Sequence, residues 1–221
     1  MATALAIAPV AMAGSLCPNV AWTYSDGTTS VAAGSCGAVT LTISNDDTQT
    51  ASLYWGSSSY GSTGLTIGSI ASFNTAVTFA GATGAQPYYI LDFHDNSGLF
   101  GETSGDKILM IENQSGNLSG GNMALNPATT LFDVYDDTTG KYLLLGQSDV
   151  KTLDQWLALY PGLSNDSTWV GVEMGNGGSG SPATMTITGA DYSATPEPSS
   201  LLLFGTGLVG FAGMLRRKLR A

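Results

Sequence analysis

In Val39-Thr40-Leu41-Thr42-Ile43, and again in Met185-Thr186-Ile187-Thr188, apolar residues alternate with threonines. A period of two places the apolar set on one face of a strand and the hydroxyls on the other, as a half-buried sheet requires. Similar short runs, separated by Gly, Ser, Asn and Asp, predict strands at 20–24, 38–44, 52–56, 65–70, 76–80, 88–93, 107–112, 130–135, 141–145, 169–174 and 183–188. The clearest hairpin joins the strand ending at Tyr135 to the one starting at Lys141, with Gly140 supplying the left-handed residue of the turn.

One helix interrupts this pattern. Thr152 and Gln155 have capping-box spacing, and Leu153, Trp156, Leu157 and Tyr160 fall on one face at i, i+3, i+4 and i+7. Pro161-Gly162 stops it, and so short a helix needs Trp156 and Leu157 buried against a sheet. Many short strands and almost no helix predict an all-β fold: an antiparallel β-sandwich, jelly-roll-like, with one short helix. A β-helix is the alternative, but no fixed-period repeat supports it. Gly175–Ser181 reads as a flexible loop before the last strand, and residues 191–195 as the way out of the domain.

The two ends follow different physics. Residues 1–13 are Ala-rich and apolar and finish in Ala11-Met12-Ala13, the small-x-small pattern of a secretory signal peptide cleaved after Ala13. No Lys or Arg precedes Lys107, so the basic start of such a signal is missing, and a true start upstream of Met1 is expected. A buried first strand is the weaker reading, because Ala-rich runs make poor strands. At the other end, the 15 residues from Leu201 to Leu215 carry no charge, and four of the chain's seven basic residues follow at Arg216, Arg217, Lys218 and Arg220. Helical, with Ser199 and Ser200 added, this segment is a short transmembrane helix over 199–215. The basic tail 216–221 holds that end in the cytoplasm and leaves the body on the exported side.

Pro196-Glu197-Pro198, the Gly-rich apolar helix and the terminal basic cluster, in that order, resemble the PEP-CTERM sorting signal of exported bacterial proteins. The resemblance covers about residues 195–221 and says nothing about the family of the body. It implies that exosortase, a membrane enzyme, recognises the signal, cleaves near the motif and releases or transfers the body. The chain would be anchored transiently in the inner membrane and then reach the cell surface or the extracellular polysaccharide matrix. The domain reading is therefore signal peptide 1–13, β-sandwich 14–195 and sorting signal 196–221.

Charge and cysteines bear on partners. With Glu197 set aside, sixteen acidic residues face only Lys107, Lys141 and Lys151 over residues 14–195, a net of −13. Such a surface repels nucleic acid and anionic lipid, and it attracts divalent cations. Cys17 and Cys36 are the only cysteines, and in an exported chain two cysteines most simply form one disulfide.

Candidate chemistry is sparse. Asp92 and His94 would share one face of a continuing strand, where they could contact a metal or act as acid and base; the bland reading is a polar strand end. Asp133, Asp136 and Asp137 in the hairpin, and Asp46-Asp47 after Asn45, offer oxygen ligands for calcium, the one cofactor worth naming. None follows calcium-loop spacing, and Asp and Asn are ordinary turn formers. There is no Gly-x-Ser-x-Gly elbow, His-Glu-x-x-His or phosphate loop. The expectation is a non-enzymatic exported protein, with a carbohydrate- or calcium-binding module as alternative and a secreted glycoside hydrolase behind it.

Overall fold

The computed structural model describes residues 12–16, 20–23, 38–55, 65–95, 106–113, 121–143, 150–175 and 180–194. The strands are β1 (Met12–Leu16), β2 (Val20–Thr23), β3 (Val39–Ile43), β4 (Thr50–Trp55), β5 (Ile70–Ala80), β6 (Tyr88–Asp95), β7 (Asp106–Glu112), β8 (Asn122–Leu125), β9 (Leu131–Asp136), β10 (Lys141–Tyr142), β11 (Lys151–Thr152), β12 (Thr168–Gly175) and β13 (Ala183–Ala194). One helix, α1 (Leu153–Leu159), lies between β11 and β12.

These strands form two sheets, and every pairing is antiparallel. The five-stranded sheet runs β1-β13-β5-β8, with β3 also on β13. The eight-stranded sheet runs β10-β9-β7-β6-β12-β4-β2, with β11 also on β9. The pairings nest: β3 with β13, β4 with β12, β5 with β8, and β6 with β7.

Both sheets contribute to one hydrophobic core. Val39, Leu41, Ile43, Phe73, Val77, Met185 and Ile187 from the first meet Leu53, Trp55, Tyr89, Leu91, Phe93, Met110 and Val172 from the second. Ring contacts join the layers, Trp55 to Phe73 at 5.3 Å and Phe73 to Tyr89 at 6.0 Å. The Val39–Ile43 alternation is realised: Val39, Leu41 and Ile43 are buried while Thr40 and Thr42 face outward. There Thr40 and Thr42 meet Thr186 and Thr184 of β13 in hydroxyl contacts of 2.9 and 3.3 Å.

The all-β expectation holds, with α1 as the one short helix among the described residues. Thr152 caps α1 through the amide of Gln155 at 3.3 Å, and the Gln155 side chain accepts from the Thr152 amide at 3.0 Å. Trp156 is buried and donates from Nε1 to the carbonyl of Phe132 at 3.0 Å, tying α1 to β9; Leu157 is half-buried. The β9–β10 hairpin also forms as expected, with Gly140 at φ 70°.

Other stretches differ. The expected strand at 65–70 is instead a 3-10 turn over Ile67–Ser69, because the Ser69 hydroxyl donates to the Thr66 carbonyl and accepts from its amide. Residues 191–194 do not lead out of the domain but extend β13, where they pair with both β1 and β5. Residues 12–16 form β1, so a cleavage after Ala13 falls within that strand. Cys17, Cys36, Pro196, Glu197, Pro198, the apolar segment 199–215 and the basic tail at Arg216, Arg217, Lys218 and Arg220 lie outside the described residues. No helix among the described residues is long and apolar enough to cross a membrane.

Candidate functional site

Strand alternation divides the eight-stranded sheet into an inner and an outer face. On β6, Tyr89, Leu91 and Phe93 enter the shared core, which leaves Tyr88, Ile90, Asp92 and His94 on the outer face. On β12, Val170, Val172 and Met174 turn inward, leaving Trp169, Gly171 and Glu173 outward. Register then builds one row across five strands: Trp169, Asp92, Leu109, Tyr135 and Tyr142.

A second buried cluster, Tyr54, Ile90 and Trp169, forms the floor of this face, with Tyr88 and Leu109 packed against it. The Tyr54 ring occupies the space a side chain at Gly171 would fill: a Cβ there would lie 2.5 Å from Tyr54 Cε1. Tyr54 meets Trp169 edge-to-face at 6.0 Å. A glycine in the middle of a strand, normally a weakness, here lets an aromatic ring lie on the backbone.

Polar groups are set into this floor in two places. Tyr88 donates its hydroxyl to Glu173 Oε1 at 2.5 Å. Burial raises the Glu173 carboxyl above its usual range, against the hydrogen bonds from Tyr88 and Ser52 and the field of Lys107. Burial, then the Glu173 charge, hold Tyr88 well above the ordinary tyrosine range; Tyr54 and Tyr142 act in the same direction. The second place is centred on Lys107, whose ammonium lies 3.4 Å from Asp92 Oδ2 and 2.9 Å from Asp137 Oδ2. Burial works against the Lys107 charge, but the fields of Asp92 and Asp137 and their hydrogen bonds outweigh it and raise its pKa.

The strand continues through His94, so Asp92 and His94 do share a face, as the spacing implied. Asp92 is buried and ion-paired to Lys107, while His94 is half-buried and stands opposite Lys107 in the β6–β7 register. The hairpin aspartates do not converge. Asp133 accepts from Asn113 Nδ2, and Asp137 takes Lys107. Asp136 accepts from the amides of Thr138 (2.8 Å) and Thr139 (3.1 Å) and from the Thr139 hydroxyl, which makes it the organiser of its own turn. Asp46 is buried and binds the Ser181 amide through Oδ1 at 2.8 Å, while its Oδ2 takes no hydrogen bond among the described residues. Asp47 donates its amide to Asn45 Oδ1 at 2.9 Å. Among the described residues no group of three His, Cys, Asp or Glu side chains is arranged to hold a metal.

Among the residues of this face that escaped sequence reasoning are Tyr88, Lys107 and Glu173. The usable signal was period two within single strands, Tyr88-x-Ile90-x-Asp92-x-His94 and Trp169-x-Gly171-x-Glu173. What could not be read was that the two strands lie side by side.

The described body ends where the tail begins. The PEP-CTERM protein-sorting motif matches residues 194–218, starting on Ala194, the last residue of β13. The chain thus carries a PEP-CTERM sorting motif, which implies export, membrane-associated processing and an exosortase-type partner. No curated protein matches the chain.

Proposed function

We propose that this chain is an exported, non-enzymatic protein of the cell surface or extracellular polysaccharide matrix, delivered by its C-terminal sorting signal. The observation that carries this reading is the position of the motif, which begins on the final residue of the last strand. The matched motif starts where β13 ends. In this reading residues 1–13 are a signal peptide, 14–195 a jelly-roll-like β-sandwich, and 196–221 a removable address. The helix at 199–215 holds the precursor in the inner membrane, with the basic tail in the cytoplasm, until exosortase cleaves near Pro196-Glu197-Pro198. Cys17 and Cys36 form a disulfide in the exported form.

The nested pairing of β3 with β13, β4 with β12, β5 with β8 and β6 with β7 supports the jelly-roll reading. Against hydrolysis, Asp92 opposes Trp169 on β12 and Glu173 lies four residues further along that strand. Asp92 is also engaged by Lys107, and Glu173 by Tyr88.

Replacing Pro196, Glu197 and Pro198 together by Ala tests the main reading. The substituted chain is expected to accumulate in the membrane fraction while the natural chain leaves it; identical fractionation of the two would refute the proposal. A second reading, that the body binds carbohydrate, is favoured by the rings and carboxyls gathered on the outer face of the eight-stranded sheet.

A further inference from the structure

We infer that the outer face of the eight-stranded sheet, from Tyr142 at its edge to the Tyr88–Glu173 pair, is a binding site for an uncharged polysaccharide. This rests on the second reading above and gives it a location and a ligand class.

Tyr142 is the first observation. It is 43% exposed, and with Leu159 it makes up the exposed large hydrophobic side chains among the described residues. Its ring meets Tyr135 edge-to-face at 5.2 Å, so a partly exposed aromatic surface is fixed in place on a two-residue edge strand. Sugar rings present C–H faces that pack on such rings, and an edge position lets a polymer run past the site.

Glu173 and Tyr88 are the second. Both are half-buried and joined at 2.5 Å, and they stand on the same outer face as Tyr142, four residues along β6 and β12 from the row that ends on it. A carboxylate has about four acceptor positions. Glu173 uses one on Tyr88. The others can accept from sugar hydroxyls, and the oriented pair selects among them.

Charge settles the class of polymer. Lys107, the cation of this face among the described residues, is engaged by Asp92 at 3.4 Å and Asp137 at 2.9 Å, so it offers no uncompensated positive charge. With Glu173 beside them and a body of net −13, an acidic polysaccharide is repelled and a neutral one is not.

The test is affinity electrophoresis of the full-length chain, in a detergent without a sugar headgroup, through native gels containing dextran, laminarin, galactomannan or, as the acidic probe, alginate. At least one neutral gel should retard the natural chain, and alginate should not. Tyr142→Ala should weaken that retardation about tenfold. Glu173→Gln should weaken it several-fold, and Leu159→Ala should leave it unchanged. Tyr142 is exposed, so its variant should keep the thermal midpoint of the natural chain, separating lost binding from lost folding. Retardation that survives both Tyr142→Ala and Glu173→Gln would overturn this site and leave carbohydrate binding standing elsewhere on the body. Absence of retardation in every neutral gel would overturn both, and retardation in alginate alone would overturn the uncharged class.

Discussion

Tyr54 lies flat where Gly171 has no side chain, and that single contact organises the floor of the outer face. A methyl group at position 171 would sit 2.5 Å from the Tyr54 ring and would push it off Trp169. Gly171→Ala is therefore expected to destabilise the body by about 1–3 kcal/mol and to change tryptophan fluorescence. A thermal midpoint and emission spectrum equal to the natural chain's would contradict the packing described. Two carboxyls respond to pH in opposite directions. At Asp136, burial raises the pKa, but the hydrogen bonds from Thr139 and Thr138 outweigh it and hold the folded carboxyl below its usual 3.8. Its stabilisation is present above that ordinary value and is lost as pH falls through the lower folded one. At Glu173 the folded pKa is raised above 4.5, so its contribution is present at low pH and is lost as pH rises through that value towards the higher folded one. Urea titrations across this range should show Asp136→Asn removing part of the acid loss and Glu173→Gln removing the loss on the alkaline side. Unchanged pH profiles would refute both assignments. Asp136 was legible as a turn former from its neighbours alone. Glu173 was not, because its partner Tyr88 is 85 residues away in the chain.

Elements were readable where the physics that forms them is local. Helix α1 declared itself through Thr152, Gln155 and the spacing of Leu153 and Trp156, all within one short segment. Its dependence on those contacts is measurable. Thr152→Ala should cost about 1 kcal/mol through the lost cap. Trp156→Phe keeps a ring but leaves the Phe132 carbonyl without its donor, and should cost about 1–3 kcal/mol. Chemical denaturation of both variants checks these values, and an unaltered midpoint would refute the anchoring of α1 on β9. Elements that depend on distant partners were harder to read. β8 is four residues long and was not recognised, since only its pairing with β5 makes Asn122–Leu125 a strand. Leu65–Ile70 has strand-like alternation, but the Thr66–Ser69 side-chain hydrogen bonds win locally and close a 3-10 turn. β13 runs past its threonine alternation because β1 and β5 continue to pair with it up to Ala194.

For the whole molecule, alternation and turn residues were enough to read an all-β antiparallel body, but the order of strands in each sheet rests on pairings between distant segments that no local pattern encodes. The same holds for the outer face, whose residues come from β4, β6, β7, β9, β10 and β12. The sorting signal was legible for the opposite reason: its Pro-Glu-Pro motif, apolar run and basic cluster are contiguous, and the motif matches at residues 194–218. The structure adds where that signal is attached. Ala194 pairs with Met12 on β1, so the point of departure of the tail lies beside the N-terminal strand on one sheet edge. A cleavage after Ala13 would remove the partners of Ala194 and Ser193 and leave Gly14, Ser15 and Leu16 paired with Tyr192, Asp191 and Ala190. The central claim is that residues 196–221 are an address that is removed from the working protein. Mass spectrometry of the mature protein's C-terminus, in cells with and without the exosortase, tests it most directly. The account predicts that Arg216 to Ala221 are absent when the enzyme is present and retained when it is not; their retention in both would contradict it.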